Sequence, residues 1–260
     1  MTLKVFIAGA SSGLGEALAI EYAEAGATLG LAARRFDVLA KLRDRITACD
    51  SSPGRVEIYR VDVSDAADFC GIARDFIARH GTPDVVIACA GISVPAELER
   101  ADSLAAFRDV LATNVYGTLV TFQPFVAAMK ARGTGQLVGI GSVAGVRGMP
   151  GASGYSASKA AVMAFCEALR IDLRGTGVEV ITICPGYVRT PMTAAVPYRQ
   201  PFLIDARVFA RRAVQSIAAG SAYTVIPWQM GWIARLLKLL PNGLYDAMMK
   251  SVRRRTPTDC

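Results

Sequence analysis

Seven strand-length apolar runs, each separated from the next by a helical pattern, leave this chain of 260 residues very few folds. The runs are Leu3–Ala8, Thr28–Ala33, Val56–Val61, Val85–Cys89, Gln136–Ile140, Val178–Cys184 and Tyr223–Pro227. Between them, helical spacing predicts helices from the first glycines to about Ala25, then to about Cys49, over Ala66–Arg79, as one long helix over Ala101–Met129, from Ser153 to about Leu173, and near Asp205–Ala219. Ser51-Ser52-Pro53-Gly54 reads as a turn. Strands that are apolar throughout and alternate with helices imply a parallel sheet covered on both faces, an α/β doubly wound domain. No repeat or internal linker interrupts it, so residues 1–227 are expected to be a single domain and 228–260 an added helical tail.

The first run leads directly into Gly9-Ala10-Ser11-Ser12-Gly13-Leu14-Gly15 and a helix. Glycines at that junction let the backbone turn tightly and approach a pyrophosphate, which the helix N-terminus then receives. The same residues spell GxSxG, the nucleophile elbow of an α/β-hydrolase. That reading needs an acid and then a histidine late in the chain, and the single histidine, His80, comes too early. A multi-histidine metal site is excluded on the same count. No GK[ST] follows the glycines, so the P-loop pattern fails as well.

An acidic residue at the end of the second strand would mark a ribose 2′-hydroxyl. Here the strand ends Ala32-Ala33-Arg34-Arg35, with no carboxylate to repel a 2′-phosphate and two guanidiniums able to hold one. The pair can also be read as solvated charges at a helix start.

Ser142 precedes a second informative stretch, Gly151-Ala152-Ser153-Gly154-Tyr155-Ser156-Ala157-Ser158-Lys159. Ser153 is placed to cap a helix whose apolar positions recur at 162, 165, 169 and 173. Tyr155 and Lys159 then share one face, four residues apart. A free phenol has a pKa of about 10, and a neighbouring ammonium favours its ionised form. Such a pair moves protons near neutral pH; taken alone, it is equally a surface pair on an amphipathic helix.

Together these motifs resemble the short-chain dehydrogenase/reductase family over roughly residues 3–227. Gly9, Gly13 and Gly15 match its glycine motif, and Asp62-Val63 the acid-plus-valine of the adenine pocket. The family's Asn-Asn-Ala-Gly appears as Ala88-Cys89-Ala90-Gly91, so its second half alone is kept. Asn114 matches the helix asparagine, Ser142 the serine after the fifth strand, and Tyr155 with Lys159 completes the tetrad. Pro185, Gly186, Val188 and Thr190 match the segment that holds the nicotinamide.

The resemblance implies a Rossmann-like fold and an NAD(P)-dependent oxidoreductase interconverting a carbonyl and a secondary alcohol. Ser11, Ser12, Leu14, Arg34, Arg35, Ala90 and Gly91 join the cofactor set, with NADP(H) preferred over NAD(H). Tyr155 would exchange the proton, Ser142 hold the same oxygen, Lys159 lower the tyrosine pKa and bind ribose, and Asn114 hold a water linked to Lys159. A dinucleotide-binding scaffold or sensor without turnover is the alternative. Loop residues Ser142, Val143, Met149, Tyr155, Tyr187 and Met192, with Ile92, Val94, Val146, Tyr198, Phe202 and Leu203 beside them, offer a lining suited to an apolar ketone or alcohol.

Mean hydropathy is +0.34, more apolar than a soluble surface requires, which predicts an interface: a homo-oligomer, dimer or tetramer, or a membrane contact. Of the net charge of +7, +4 falls on the last 33 residues and +3 on the first 227. That nearly balanced body argues against a nucleic-acid surface. In the tail, Trp232, Ile233, Leu236, Leu237 and Leu240 fall on one helical face, with Arg235, Lys238 and Arg253–Arg255 nearby. This pattern fits a helix lying in a membrane interface, or one packed on the domain or a second subunit. Six cysteines without a CxxC pair read as reduced thiols of a cytoplasmic protein, with the inner face of a membrane as the peripheral alternative. The apolar run after Lys4 is of strand length only, so no secretory signal is expected.

Overall fold

The computed structural model describes residues 2–48, 55–94, 98–194 and 199–250. The expected turn at 51–54, Tyr198 and Arg253–Arg255 lie outside these. In chain order the elements are β1 (Lys4–Ala8), α1 (Gly13–Glu24), β2 (Thr28–Ala33), α2 (Phe36–Thr47), β3 (Val56–Arg60), α3 (Ala66–His80), β4 (Val85–Ala88), α4 (Ser103–Leu111) and α5 (Gly117–Arg132). There follow β5 (Gly135–Ile140), α6 (Ser153–Asp172), β6 (Val178–Pro185), β7 (Val188–Arg189), α7 (Pro191–Ala194), β8 (Ile204–Asp205), α8 (Ala206–Ala218), β9 (Tyr223–Ile226), α9 (Trp228–Leu239) and α10 (Asn242–Met249).

Seven strands form one parallel sheet in the order β3-β2-β1-β4-β5-β6-β9. The order reverses between β1 and β4, and a crevice opens at such a switch point beyond the carboxyl ends of the strands. The strands bury both faces because their residues are apolar on both. One core joins Val5, Ile7, Leu29 and Ile181 to Leu18, Leu39 and Phe209 of α1, α2 and α8. The other joins Phe6, Val86 and Leu137 to Phe69, Phe125 and Val162 of α3, α5 and α6. Phe6 packs edge-on against Phe76 with ring centroids 5.4 Å apart, a pairing that contributes about 0.5–1.5 kcal/mol beyond burial. Asp65 caps α3, accepting from the amides of Ala67 and Asp68 at 3.1 and 3.0 Å, a contact that stabilises by about 1 kcal/mol.

Four local features differ from expectation. The long helix predicted over Ala101–Met129 is two α-helices joined by a π turn at Ala112–Tyr116. Ser153 is the first helical residue of α6 rather than its cap; Ala152 precedes it, and no side chain caps that end. The loop after β6 contains α7 and a small two-stranded sheet of β7 and β8. In the tail, α9 docks through its small residues. Met230, Gly231 and Ala234 are buried, while Trp228 and Trp232 are each 64% exposed and Leu239 is 81% exposed. Gly231 lets the helix backbone come close to Val225 of β9, which a large side chain would prevent. Among the described residues, no helix is long and apolar enough to cross a membrane.

Candidate active site

The crevice beyond the strand ends is a cavity of about 370 Å³ that reaches from the glycine turn to Tyr155. Its wall brings together Gly9, Ser11, Ser12, Gly13 and Leu14 from the turn, Arg34 and Arg35 from the end of β2, and Asp62 and Val63 from the end of β3. Ala90 and Gly91 follow from β4, Ser142 from β5, Tyr155 and Lys159 from α6, and Pro185, Gly186, Val188 and Thr190 from β6 and its loop. Gly15 lies buried in the first turn of α1. These residues are spread over the sequence, and the parallel sheet collects them because all its strands end on one side.

The turn fits a pyrophosphate by geometry. Gly9 has φ +84°, and a Cβ there would lie 2.5 Å from the Ala90 amide nitrogen; any side chain would close the cradle. Arg35 donates to Ser11 Oγ at 3.0 Å and to Ser12 Oγ at 2.7 Å, which holds its guanidinium over the glycine turn. Arg34 turns the other way, toward Asp62 at 3.6 Å. Partial burial of Asp62 works against its ionisation, but two hydrogen bonds from Ser64 and the nearby Arg34 hold its carboxyl below the usual carboxylate range.

At the other end of the cavity Lys159 is only 5% exposed. Its ammonium donates to the Ile140 carbonyl at 2.8 Å and lies 5.8 Å from the centroid of the Tyr155 ring. Burial pulls its pKa below the ordinary lysine value, opposed by any ionisation of the neighbouring thiols Cys89, Cys184 and Cys166. Those thiols are themselves pushed upward by burial, Cys89 to about 11 and Cys166 to about 12. Ser142 is extended and caps a single 3₁₀ turn, Val143–Gly145, its Oγ accepting from the Ala144 amide at 3.1 Å. Among the described residues its own hydroxyl proton has no protein acceptor, so it remains able to donate.

Asn114 sits in the π turn, fully buried. Its Oδ1 accepts from the Ile92 amide at 2.8 Å, and its Nδ2 donates to the Ile92 carbonyl at 3.0 Å and to Ser158 Oγ at 2.9 Å. The Ser158 hydroxyl in turn donates to the Tyr155 carbonyl at 2.7 Å. The asparagine thus pins the loop after β4 to the first turn of α6.

Of the apolar residues expected at the substrate end, Ile92 and Met192 line the cavity, whereas Val143, Met149 and Tyr187 stand outside its wall. Cys89 and Thr193 also line it. Thr193 donates to the Val188 carbonyl at 2.6 Å and accepts from the Thr190 amide at 3.0 Å, which closes the loop after β6. Sequence reasoning passed over both: Cys89 departs from the family pattern, and Thr193 lies just beyond the last matched position.

A doubly wound sheet with a glycine cradle at its switch point defines the dinucleotide-binding class of α/β proteins. The sequence model of the family described as short chain dehydrogenase matches residues 4–200. The chain belongs to the short-chain dehydrogenase/reductase family of oxidoreductases. It is 38% identical over 247 residues to an uncharacterized oxidoreductase of Myxococcus xanthus, covering 95% of this chain and 96% of the other. It is 31% identical over 269 residues to 11-beta-hydroxysteroid dehydrogenase A of Sesamum indicum, covering 92% and 76%. Among solved structures it is similar to a short-chain dehydrogenase/reductase of Burkholderia phymatum in complex with NAD, with TM-score 0.81, 25% identity and coverage of 98% and 96%. It is also similar to an alcohol dehydrogenase of the archaeon Thermococcus sibiricus complexed with 5-hydroxy-NADP, with TM-score 0.75, 26% identity and coverage of 86% and 96%.

Proposed function

We propose that this protein is an NADPH-preferring oxidoreductase that interconverts a carbonyl and a secondary alcohol on an apolar, lipid-like substrate. The observation that carries the reading is the cavity itself, whose one wall bears the glycine turn with Arg35 across it and whose far end bears Ser142, Tyr155 and Lys159. The residues fit a dinucleotide: the turn and the start of α1 hold the pyrophosphate, Arg35 takes the 2′-phosphate, and Asp62 with Val63 borders the adenine. When bound, the nicotinamide supplies or accepts a hydride. Ser142 donates from its hydroxyl to the carbonyl oxygen and fixes it. Tyr155 gives its phenolic proton to that oxygen, or removes it from an alcohol in the reverse direction. Lys159 holds positive charge beneath the Tyr155 ring and reaches the ribose. Ile92 and Met192 supply apolar contacts beside the reacting atoms, and a plant relative named for a hydroxysteroid fits a substrate of that character.

The test follows NADPH absorbance with purified protein on a panel of apolar ketones and secondary alcohols. Turnover that Tyr155→Phe abolishes is the expected result. Tight NADPH binding without turnover on any member of the panel would favour a scaffold or sensor instead.

The tail adds a proposal about location. Trp228, Trp232, Leu236 and Leu239 form an exposed row on α9, with Arg235 and Lys238 beside it. Large apolar groups flanked by cations suit an anionic bilayer surface, so the protein is peripheral to a membrane from which an apolar substrate is drawn. A dimer or tetramer that buries this row is the competing outcome.

A further inference from the structure

The loop that carries Ser142 is tied to the tail by two side chains, one from each side. The Arg147 guanidinium donates to the Leu237 carbonyl, to the Leu240 carbonyl at 2.6 Å and to Asn242 Oδ1 at 2.9 Å. It also lies 4.0 Å from the centroid of the Tyr245 ring. Tyr245, 7% exposed, answers from α10: its hydroxyl donates to the Gly148 carbonyl at 2.5 Å and lies 3.9 Å from Met149 Sδ. The match is chemical as well as geometric. The last carbonyls of a helix have no partner within it, and Leu240, which follows α9, is extended and gives it no left-handed cap. A guanidinium offers several donors in one rigid plane and a positive charge suited to a helix C-terminus.

The connection runs on into the site. The Met149 amide donates to Ser156 Oγ at 3.2 Å, beside Tyr155, and the Gly145 amide donates to the Ser142 carbonyl at 2.9 Å. At its other end the tail touches the loop after β6, since a Cβ on Gly186 would lie 2.6 Å from Met230 Cγ. The tail therefore contacts both strand-end loops that bound the nicotinamide end of the cavity. The family match ends at residue 200, before α9 and α10.

We infer that Arg147 and Tyr245 are positioning residues, which latch α9 and α10 to the loop 142–151 and so set how well an apolar carbonyl substrate is held. The inference rests on the reductase reading given above. An apolar substrate has few polar anchors and depends on each being held in place. Ser142 is the residue of this loop in the cavity wall, so the latch sets where its hydroxyl meets the substrate carbonyl and leaves Tyr155, Lys159 and the glycine turn untouched.

Three variants test this: Tyr245→Phe keeps the ring and deletes the hydroxyl, Arg147→Lys keeps the charge and loses the fork, and Arg147→Met loses both. KM for apolar ketones should rise about two- to tenfold in Tyr245→Phe, the worth of one neutral hydrogen bond, and further in Arg147→Met, with Arg147→Lys between. The NADPH dissociation constant should stay at its wild-type value. Hydrogen exchange should quicken at the amides of 143–149 and remain unchanged in β5. Unchanged KM, or a joint loss of kcat and cofactor affinity, overturns the positioning role. If the wild type turns over no carbonyl compound, the reductase reading fails by itself and exchange decides alone: equal protection of 143–149 in wild type and Arg147→Met overturns the latch.

Discussion

Asn114 and Ser158 stand 44 residues apart in the chain and 2.9 Å apart in the fold, the carboxamide of the first donating to the hydroxyl of the second. The Ser158 hydroxyl in turn donates a hydrogen bond to the Tyr155 carbonyl, so the π turn orients the helix turn that carries the phenol. Asn114→Ala would strip partners from Ser158 and from both backbone groups of Ile92. Leaving buried polar groups unsatisfied costs about 1–3 kcal/mol. Urea unfolding should show that loss, with a fall in kcat beside it. A variant as stable and active as wild type would remove Asn114 from this role.

Arg35 bridges Ser11 and Ser12 while Arg34 faces Asp62, so the proposed NADPH preference rests on Arg35. A charge-assisted contact contributes about 1.5–3 kcal/mol. Titration of Arg35→Ala should therefore show NADPH affinity lowered about ten- to a hundredfold, with NADH affinity little changed and Arg34→Ala milder. Wild-type protein that binds both cofactors equally well would contradict the preference.

Tyr155→Phe deletes the hydroxyl of a half-buried tyrosine and keeps the ring. The melting temperature and NADPH affinity should survive, while turnover collapses. Near-normal turnover on the same ketone would exclude the phenol as proton donor.

Lys159 ties stability to pH in a direction that can be worked out. Burial lowers its pKa in the fold below the ordinary 10.5, so folding disfavours its charged form. That cost is complete below the folded pKa and fades as pH rises through it toward 10.5, because the unfolded chain binds more protons across this window. Wild-type stability should thus gain on Lys159→Met as pH increases there. At neutral pH the methionine variant should lose both turnover and cofactor binding. Unfolding free energies of the two proteins, compared across the alkaline range, check the sign; a constant difference would refute it.

The exposed row on α9 makes a separate prediction. Full-length protein should sediment with anionic vesicles, less at high salt and less with neutral lipid. Each basic residue near the surface contributes about 1 kcal/mol, and salt screens that part. A double variant, Trp232→Ala with Leu236→Ser, should stay in the supernatant. Wild-type protein that also stays there, as an oligomer dissociated by the same pair of changes, would assign the row to a subunit contact.

The sheet and the glycine-turn end of the cavity were legible in the sequence for physical reasons. Strands buried on both faces cannot hide their apolar runs, and a turn that approaches a phosphate at Gly9 cannot carry a side chain. Tyr155 and Lys159 were legible because helical spacing is local. The π turn was not, since Ala-Thr-Asn-Val-Tyr differs little from ordinary helix sequence and the extra residue is set by packing. Which arginine faces the glycine turn depends on side-chain partners 23 and 24 residues away. The tail shows another limit. Its apolar face suited a membrane, a second subunit or the domain alike, and close approach to β9 at Gly231 leaves Trp232 and Leu236 exposed. Arg147 meets the tail carbonyls across 90 and 93 residues, a pairing that no local pattern announces.

The π turn at Ala112–Tyr116 also limits how this segment can change in length. Removing any one of its residues would let α4 and α5 merge into an unbroken α-helix, the more regular backbone. The turn holds one residue more than an α-helix needs for the same rotation, so the flanking helices would keep their faces and Phe122, Phe125 and Met129 would stay in the core. The residue given up would come from the stretch that aims Asn114 at Ile92 and Ser158. Substitutions here act on one contact at a time, whereas a single-codon deletion would spare the hydrophobic core and straighten the one turn on which the site depends.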